Sequence, residues 1–361
     1  MAVISIIIGD ISKGNGTERA VTNLANSLCT YGDYKVNILS CSSKTLDVLY
    51  FELHSSIRTY NLNISLGKKI NYFKLQSEIR KVCIETQTNF LLGTTHALNS
   101  IMVGIKIKGM KKIACEHMNY AADPIYSRIA RRYAYPKLDA VVLLTENDRK
   151  NYMFCKNTYV IPNSVPQMTE SSTCENKILL AIGRYTKQKG FDMLVNAFAL
   201  VHKQMPDWKV RIIGQGEDEG LLKKLIKDND LQDKIELIPP KKNIKDEYLQ
   251  AGMYVLSSRW EGFVLVLIEA KSAGLPSVSF DCPEGPADIL RDGTDGFLVE
   301  PENIEEFGSR ILQLASDEKL RKEFGHAAKE DIKRLSPEKV FYEWDRLFKG
   351  GRELLPGKTA S

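Results

Sequence analysis

Short apolar runs rich in β-branched residues alternate along this chain with longer stretches whose apolar positions recur at helical spacing. In the first half the runs are VISIII, YKVNILS, FLLGT, KKIACE, AVVLLT and TYVIP; in the second they are KILLAIG, WKVRIIG, KIELIP, MYVLSS, PSVSF and GFLV. Between the first two, TERAVTNLANSLCTYG sets Val21, Leu24, Ala25 and Leu28 on one helical face. Such alternation predicts parallel sheets covered by helices on both sides.

The two series are separated by IPNSVPQMTESSTCENK (161–177), whose two prolines and polar stretch mark a linker. At 361 residues the chain is too long for one ordinary core. The expected architecture is therefore α/β, with two doubly wound, Rossmann-like domains over 1–163 and 164–336. A last helix, PEKVFYEWDRLFKG within 337–361, is expected to pack back on the first domain, followed by a frayed tail, RELLPGKTAS. Ligands of such sheets sit beyond the carboxyl ends of the strands, so two domains facing each other through those ends would enclose one cleft.

Composition changes this picture little: 43% hydrophobic and 26% charged residues are globular values. No apolar run reaches the roughly 18 residues of a membrane span, and MAVISIIIGD reads as a buried first strand rather than a signal peptide. Seven scattered cysteines with no C-x-x-C suit a reducing cytoplasm. Charge is more informative. Residues 1–165 hold 21 Lys/Arg against 12 Asp/Glu, a net +9, whereas 166–361 hold 29 against 33, a net −4. Basic residues cluster at Lys68, Lys69 and Lys74, at Lys106, Lys108, Lys111 and Lys112, and at Arg128, Arg131 and Arg132. The first half therefore prefers an anionic partner.

Candidate chemistry begins with SRWEGFVLVLIEAKSAGLP (258–276), which keeps Glu261 and Glu269 eight residues apart in an otherwise apolar stretch. Buried helices avoid Glu unless it is paired, so both carboxylates face solvent or reach a shared polar cleft. GRYTKQKG (183–190) puts Arg184 and Lys189 in a strand-to-helix loop, where two cations can neutralise a diphosphate. IIIGDISKGNGTERA supplies a Gly-containing loop and a helix N-terminus, although Arg19 stands where a dinucleotide fingerprint has its third glycine. IIGQGEDEG follows a strand too, but Glu217, Asp218 and Glu219 would repel a pyrophosphate, which leaves a structural role. ACEHMNY ends a strand with Glu116, His117 and Asn119. Five histidines without paired spacing argue against a zinc site, and the DND at 228–230 reads as a polar helix terminus.

Taken together these pieces resemble the family 4 glycosyltransferases of the GT-B fold over nearly the whole chain. The marks are G-x-G-x-E-R (14–19), E-H-x-N (116–119), V-I-P-N (160–163), G-R-x-x-x-x-K-G (183–190), and E-G-F with a second Glu eight residues after the first (261–269). SFDCPEGPADIL is similar to members that build bacterial surface polysaccharides from nucleotide sugars. The resemblance implies transfer of a hexose or N-acetylhexosamine, with retention, from a nucleotide diphosphate sugar, favoured as UDP-linked, to a lipid-linked oligosaccharide or glycan acceptor. It implies that Glu261 and the backbone of Gly262 and Phe263, beside Val264, hold the donor sugar and phosphate. Glu269 takes the ribose hydroxyls, since a carboxylate can accept from a vicinal diol. Arg184 and Lys189 stabilise the leaving diphosphate without a metal or other cofactor, His117 contacts the sugar near its anomeric centre, and Gly16 approaches phosphate or acceptor through its backbone. Two departures stand out. Asn15-Gly16 replaces the two glycines of many members, and Lys271 replaces a commonly apolar residue and reads as a surface position.

The charge split and the resemblance together place the chain in the cytoplasm, peripheral to the inner face of the membrane. There Ile105, Ile107, Met110, Tyr126, Ile129 and Tyr133, flanked by the basic clusters, would meet an anionic bilayer. Two alternatives are a non-hydrolysing nucleotide-sugar epimerase, which shares the two-domain fold but which E-G-F…E disfavours, and a non-catalytic nucleotide or nucleic-acid binder. The basic half lacks the aromatic-interleaved pattern of nucleic-acid readers, so no nucleic-acid partner is expected.

Overall fold

The computed structural model describes residues 1–42, 48–64, 66, 71–118, 120 and 123–350; Lys68, Lys69, Asn119 and the tail RELLPGKTAS lie outside them. The chain divides into two compact units, Val165–Ser336, and Met1–Ser164 together with the segment that begins at Pro337.

The first unit carries a parallel sheet of β1 (Ala2–Ile8), β2 (Tyr34–Ser40), β3 (Arg58–Asn61), β4 (Phe90–Gly93), β5 (Lys111–Cys115), β6 (Ala140–Leu143) and β7 (Thr158–Val160), in the order β3-β2-β1-β4-β5-β6-β7. β1 pairs with β2 from Ala2↔Tyr34 to Ile8↔Ser40 and with β4 from Ile4↔Phe90 to Ile7↔Gly93. Its side chains alternate between two cores. Ile7 joins Leu39 and Leu91 on one face, while Ile4, Ile6 and Ile8 join Val36 and Leu92 on the other. Burial on both faces is why the strand is apolar but for Ser5, whose hydroxyl lies 2.7 Å from that of Thr88. The second face is closed by the helices Gly16–Tyr31 and Pro337–Phe348. Phe348 packs 4.7 Å from Phe90 and 5.5 Å from Tyr34, whose hydroxyl donates to Asp345 at 2.7 Å.

The second unit repeats the plan with β8 (Ile178–Ile182), β9 (Lys209–Ile213), β10 (Ile235–Ile238), β11 (Met253–Leu256), β12 (Ser277–Phe280) and β13 (Gly296–Val299). Its order is β10-β9-β8-β11-β12-β13, again wholly parallel. Strand order therefore reverses between β1 and β4 and between β8 and β11, the switch points at which doubly wound sheets bind ligands beyond their carboxyl ends.

The structure corrects three expectations. Lys271 is not at the surface: it is fully buried, with Nζ 2.8 Å from Asp295, 2.7 Å from Asp331 and donating to the Ile289 carbonyl. Arg131 is likewise fully buried, held by Glu116 at 2.9 Å and by Asp123, so it cannot serve a basic outer face. Ile105 and Met110 are core residues at 1% and 8% exposure and cannot dip into an interface. The countercharge of Lys271 comes from 24 and 60 positions on, that of Arg131 from 8 and 15 positions back, and Ile105 and Met110 are walled in by the core of the first unit. β3 was not among the expected strands; it lies at the sheet edge, and its residues Arg58, Thr59, Tyr60 and Asn61 lack an apolar run. No helix among the described residues is long and apolar enough to cross a membrane.

Candidate active site

At the switch point of the second unit two loops meet. The first leaves β8 as Gly183-Arg184-Tyr185 and forms a 3-10 turn over Lys187–Lys189, ending at Gly190 in the left-handed region (φ 62°). A side chain at 190 would drive its Cβ to 2.1 Å from the Ser257 carbonyl, so only glycine lets the turn close onto β11. The second loop leaves β11 as Ser257–Phe263. Backbone and side chains tie the two together: Arg259 N–H donates to Gln188 O at 2.8 Å, Gln188 Nε2 to Trp260 O at 3.0 Å, and Ser257 Oγ to Lys189 O at 3.0 Å. Arg259 also grips Asp192 through two nitrogens at 2.9 and 2.7 Å, a fork-to-carboxylate contact that fixes geometry as well as charge.

This frame presents Lys189 and Glu261 to one another. Lys189 Nζ is 2.6 Å from Glu261 Oε1, and Ser258 Oγ donates to the same oxygen at 2.6 Å. The carboxylate is 6% exposed, so the pair is mostly withdrawn from water and its attraction only weakly screened. Arg184 is an exposed cation at the carboxyl end of β8. Past Glu261, Gly262 and Phe263 lead to Val264, where the helix Leu265–Ser272 starts without a side-chain cap. An uncapped N-terminus offers backbone N–H groups to an anion. Gly285, at φ 101°, lies against this segment, its Cβ position 3.3 Å from the Gly262 carbonyl.

Glu269 sits on the helix, 2% exposed, and accepts from the Tyr248 hydroxyl at 2.8 Å. The apolar residues around it explain the sequence pattern: Leu265, Leu267 and Ile268 are buried against the sheet. Gly214 and Gly216 of IIGQGEDEG have packing roles. Side chains there would approach the Gly183 and Tyr185 carbonyls to 1.8 and 2.2 Å, and Tyr185 N–H donates to Gln215 O at 2.9 Å. Asp228 of the DND stretch pairs with Lys224 within its own helix.

In the first unit, Gly16 opens the helix Gly16–Tyr31 with nothing beyond its own helix and chain neighbours within 4 Å of its Cβ position among the described residues, and Asn15 gives that helix no side-chain cap. A side chain at Gly14 would bring its Cβ to 2.9 Å from the Tyr50 ring. His117 follows β5; its Nδ1 is buried without a partner among the described residues, and burial lowers its pKa to about 4. It is thus a neutral imidazole at pH 7, able to hydrogen-bond but not to carry charge. Its neighbour Glu116 faces inward, taking Arg131 at 2.9 Å, Asn99 Nδ2 at 3.1 Å and the Tyr135 hydroxyl, which makes it a core hub. Sequence reasoning missed Arg259, Asp192, Tyr248 and Ser258. Arg259 and Ser258 lay inside the quoted motif, but nothing in their spacing reveals their partners.

Comparison with known proteins identifies the family and the fold. The family model described as Glycosyl transferases group 1 matches residues 169–331. The chain is 31% identical to the amylovoran biosynthesis glycosyltransferase AmsD of Erwinia amylovora, over 96% of this chain and 99% of that one. It is 28% identical, over 96% and 98%, to a Campylobacter jejuni α-1,4-N-acetyl-D-galactosaminyltransferase whose name specifies a diNAcBac-PP-undecaprenol glycan. Among solved structures, a variant of S. aureus TarM in complex with fondaparinux, α-GlcNAc-glycerol and UDP superposes with a TM-score of 0.85 at 18% identity, covering 96% of this chain and all of the other. Anabaena Alr3699/HepE in complex with UDP gives 0.80 at 14%, covering 97% and 100%. At such identities the structural likeness speaks for the fold.

Proposed function

The chain belongs to the group 1 glycosyl transferases and has their GT-B fold, and from that premise we propose that it transfers a hexose or N-acetylhexosamine from a UDP-sugar to a lipid-linked or polysaccharide acceptor, with retention, in cell-surface polysaccharide synthesis. The observation that carries this reading is the Lys189–Glu261 pair at the β8/β11 switch point, with Arg184 on the adjoining loop and Glu269 on the following helix. In it, Arg184 and Lys189 meet the diphosphate and stabilise the charge that grows on it as the glycosidic bond to the sugar breaks, with no metal. A preorganised donor of this kind contributes about 3–4 kcal/mol to the transition state. Glu261 and the backbone of Gly262, Phe263 and Val264 hold sugar and phosphate, and Glu269 accepts from the ribose hydroxyls. Neutral His117 donates to or accepts from a sugar hydroxyl, and Gly16 admits phosphate or acceptor where a side chain would stand.

The acceptor assignment follows the relatives, whose names include undecaprenol-linked and poly(ribitol-phosphate) substrates. A peripheral position at the inner membrane face fits one helix. In Ile125–Ala134, Ile125, Tyr126, Ile129 and Tyr133 are 67, 70, 50 and 73% exposed, beside the exposed cations Arg132 and Lys137. Apolar anchors bordered by cations match an anionic interface.

The deciding experiment is a thermal-shift screen against UDP-, GDP- and dTDP-sugars, followed by product analysis with membrane extract as acceptor. A ligand at 100 times its Kd raises stability by about 2.7 kcal/mol. Stabilisation by UDP-sugars, and a glycosylated lipid product, are expected. Equal response to all three bases, or isomerised free nucleotide sugar without acceptor, would overturn the reading.

A further inference from the structure

The side chain of Tyr248 is fully buried, and its hydroxyl lies 2.8 Å from Glu269 Oε2 and 3.2 Å from the Val266 carbonyl. A phenol has one hydrogen to donate, and the nearer acceptor takes it. The phenol is itself immobilised. Its helix, Lys245–Gln250, is pinned through Glu247, which meets Lys241 at 2.5 Å and Arg211 at 3.3 Å, and its ring lies 6.1 Å from that of Tyr254. Glu269 therefore does not rotate freely: its Oε2 is anchored by the hydroxyl of a buried, packed tyrosine.

We propose that Tyr248 is a positioning residue for donor binding, setting the plane of the Glu269 carboxylate so that its remaining lone pairs face a vicinal diol. The proposal rests on the reading of Glu269 as the acceptor for the ribose hydroxyls. An ionised carboxylate has about four acceptor sites, and one is spent on the phenol. Two hydroxyls of fixed ribose geometry demand a fixed carboxylate plane, because a carboxylate that swings must be ordered at the moment of binding. The Tyr248 hydroxyl does that ordering in advance. It touches no ligand in this scheme and acts only through Glu269.

The test compares Kd for UDP and for 2′,3′-dideoxy-UDP by calorimetry in the wild type, Tyr248→Phe and Glu269→Ala. The wild type is expected to prefer UDP by about tenfold or more, the value of one charge-assisted hydrogen bond. Glu269→Ala should abolish the preference. Tyr248→Phe, which keeps the ring, should weaken UDP by roughly tenfold while leaving the dideoxy ligand unchanged, and should raise KM for the donor with kcat nearly intact. The ratio of two affinities on one preparation does not depend on how much of it is folded, so a poorly folding variant still reports. A preference lost in Glu269→Ala but kept in Tyr248→Phe, or equal weakening of both ligands by Tyr248→Phe, overturns the positioning role. A preference untouched by Glu269→Ala overturns the reading of Glu269, and the role of Tyr248 with it.

Discussion

Lys189 and Glu261 stand 2.6 Å apart, each the other's counter-ion, so the ammonium proposed to meet the diphosphate is already held by a carboxylate. Incoming phosphate must share Lys189 with Glu261, and the two anions oppose each other there. Glu261→Gln should therefore leave UDP binding unchanged or tighten it, while lowering turnover of UDP-sugar by about a hundredfold. Glu269→Ala should weaken UDP itself. Calorimetry on both variants separates the roles; matching losses of UDP affinity would refute the division.

Arg184, the second cation of the proposed scheme, has no ion-pair partner among the described residues. Arg184→Ala should cut kcat by about a hundredfold, one lost transition-state donor. Wild-type activity should persist in EDTA. Abolition by chelator with recovery on manganese would contradict the metal-free scheme and return attention to Asp228 and Asp230.

Lys271 neutralises Asp295 and Asp331 inside the second unit. Lys271→Ala strands Asp295 and takes one of its cations from Asp331, and breaking a buried pair costs about 3–5 kcal/mol. Urea denaturation should show that loss. A midpoint equal to wild type would mean the aspartates find other compensation, with Arg291 at 2.5 Å and Arg334 at 3.2 Å from Asp331 as the nearest candidates.

Asp148 is held up to about pKa 6, first by burial and then by the nearby Glu116. The folded state thus binds more protons than the unfolded state between the ordinary carboxyl pKa and about 6. Stability contributed by this group is full below that window, falls as pH rises through it, and stays lower at pH 7. Asp148→Asn should stabilise the protein at pH 7 by about 2 kcal/mol, with the gap closing below pH 4. Thermal melts across pH 4–8 measure this; a gap independent of pH would exclude Asp148 as its source.

The exposed stripe of the Ile125–Ala134 helix predicts anionic-lipid binding. Vesicle flotation should recover more wild-type protein as the anionic fraction rises, less at high salt, and less for the triple change of Tyr126, Ile129 and Tyr133 to Ser. Each Lys or Arg near such a surface adds about 1 kcal/mol. Equal recovery with neutral and anionic vesicles would reduce the charge split to solubility.

Most of this fold was legible because buried parallel strands write their burial into the sequence as apolar runs, and β1, β8 and β11 are such runs. β3 was not, since an edge strand of Arg, Thr, Tyr and Asn leaves no run to read. The glutamate pair was legible because two acids within an apolar stretch need a reason. Lys271 and Arg131 misled because a cation in a sequence, alone or in a cluster, looks solvated. Their aspartates arrive from residues up to 60 positions away, which only the folded chain brings near. Tyr248 gave no signal at all, being one aromatic among fifteen tyrosines.

The helix Pro337–Phe348 completes the core of the unit that begins at Met1, whereas Val165–Ser336 is one uninterrupted stretch. On the ribosome these facts set an order of events. The middle of the chain can fold as soon as it emerges, but Tyr34 and Phe90, made early, wait for Phe348 to arrive. At about 5–20 residues per second that wait lasts roughly 13–65 s. Through it the nascent first sheet shows an uncovered aromatic face, an invitation to a chaperone that a chain with the same helix at its front would not extend.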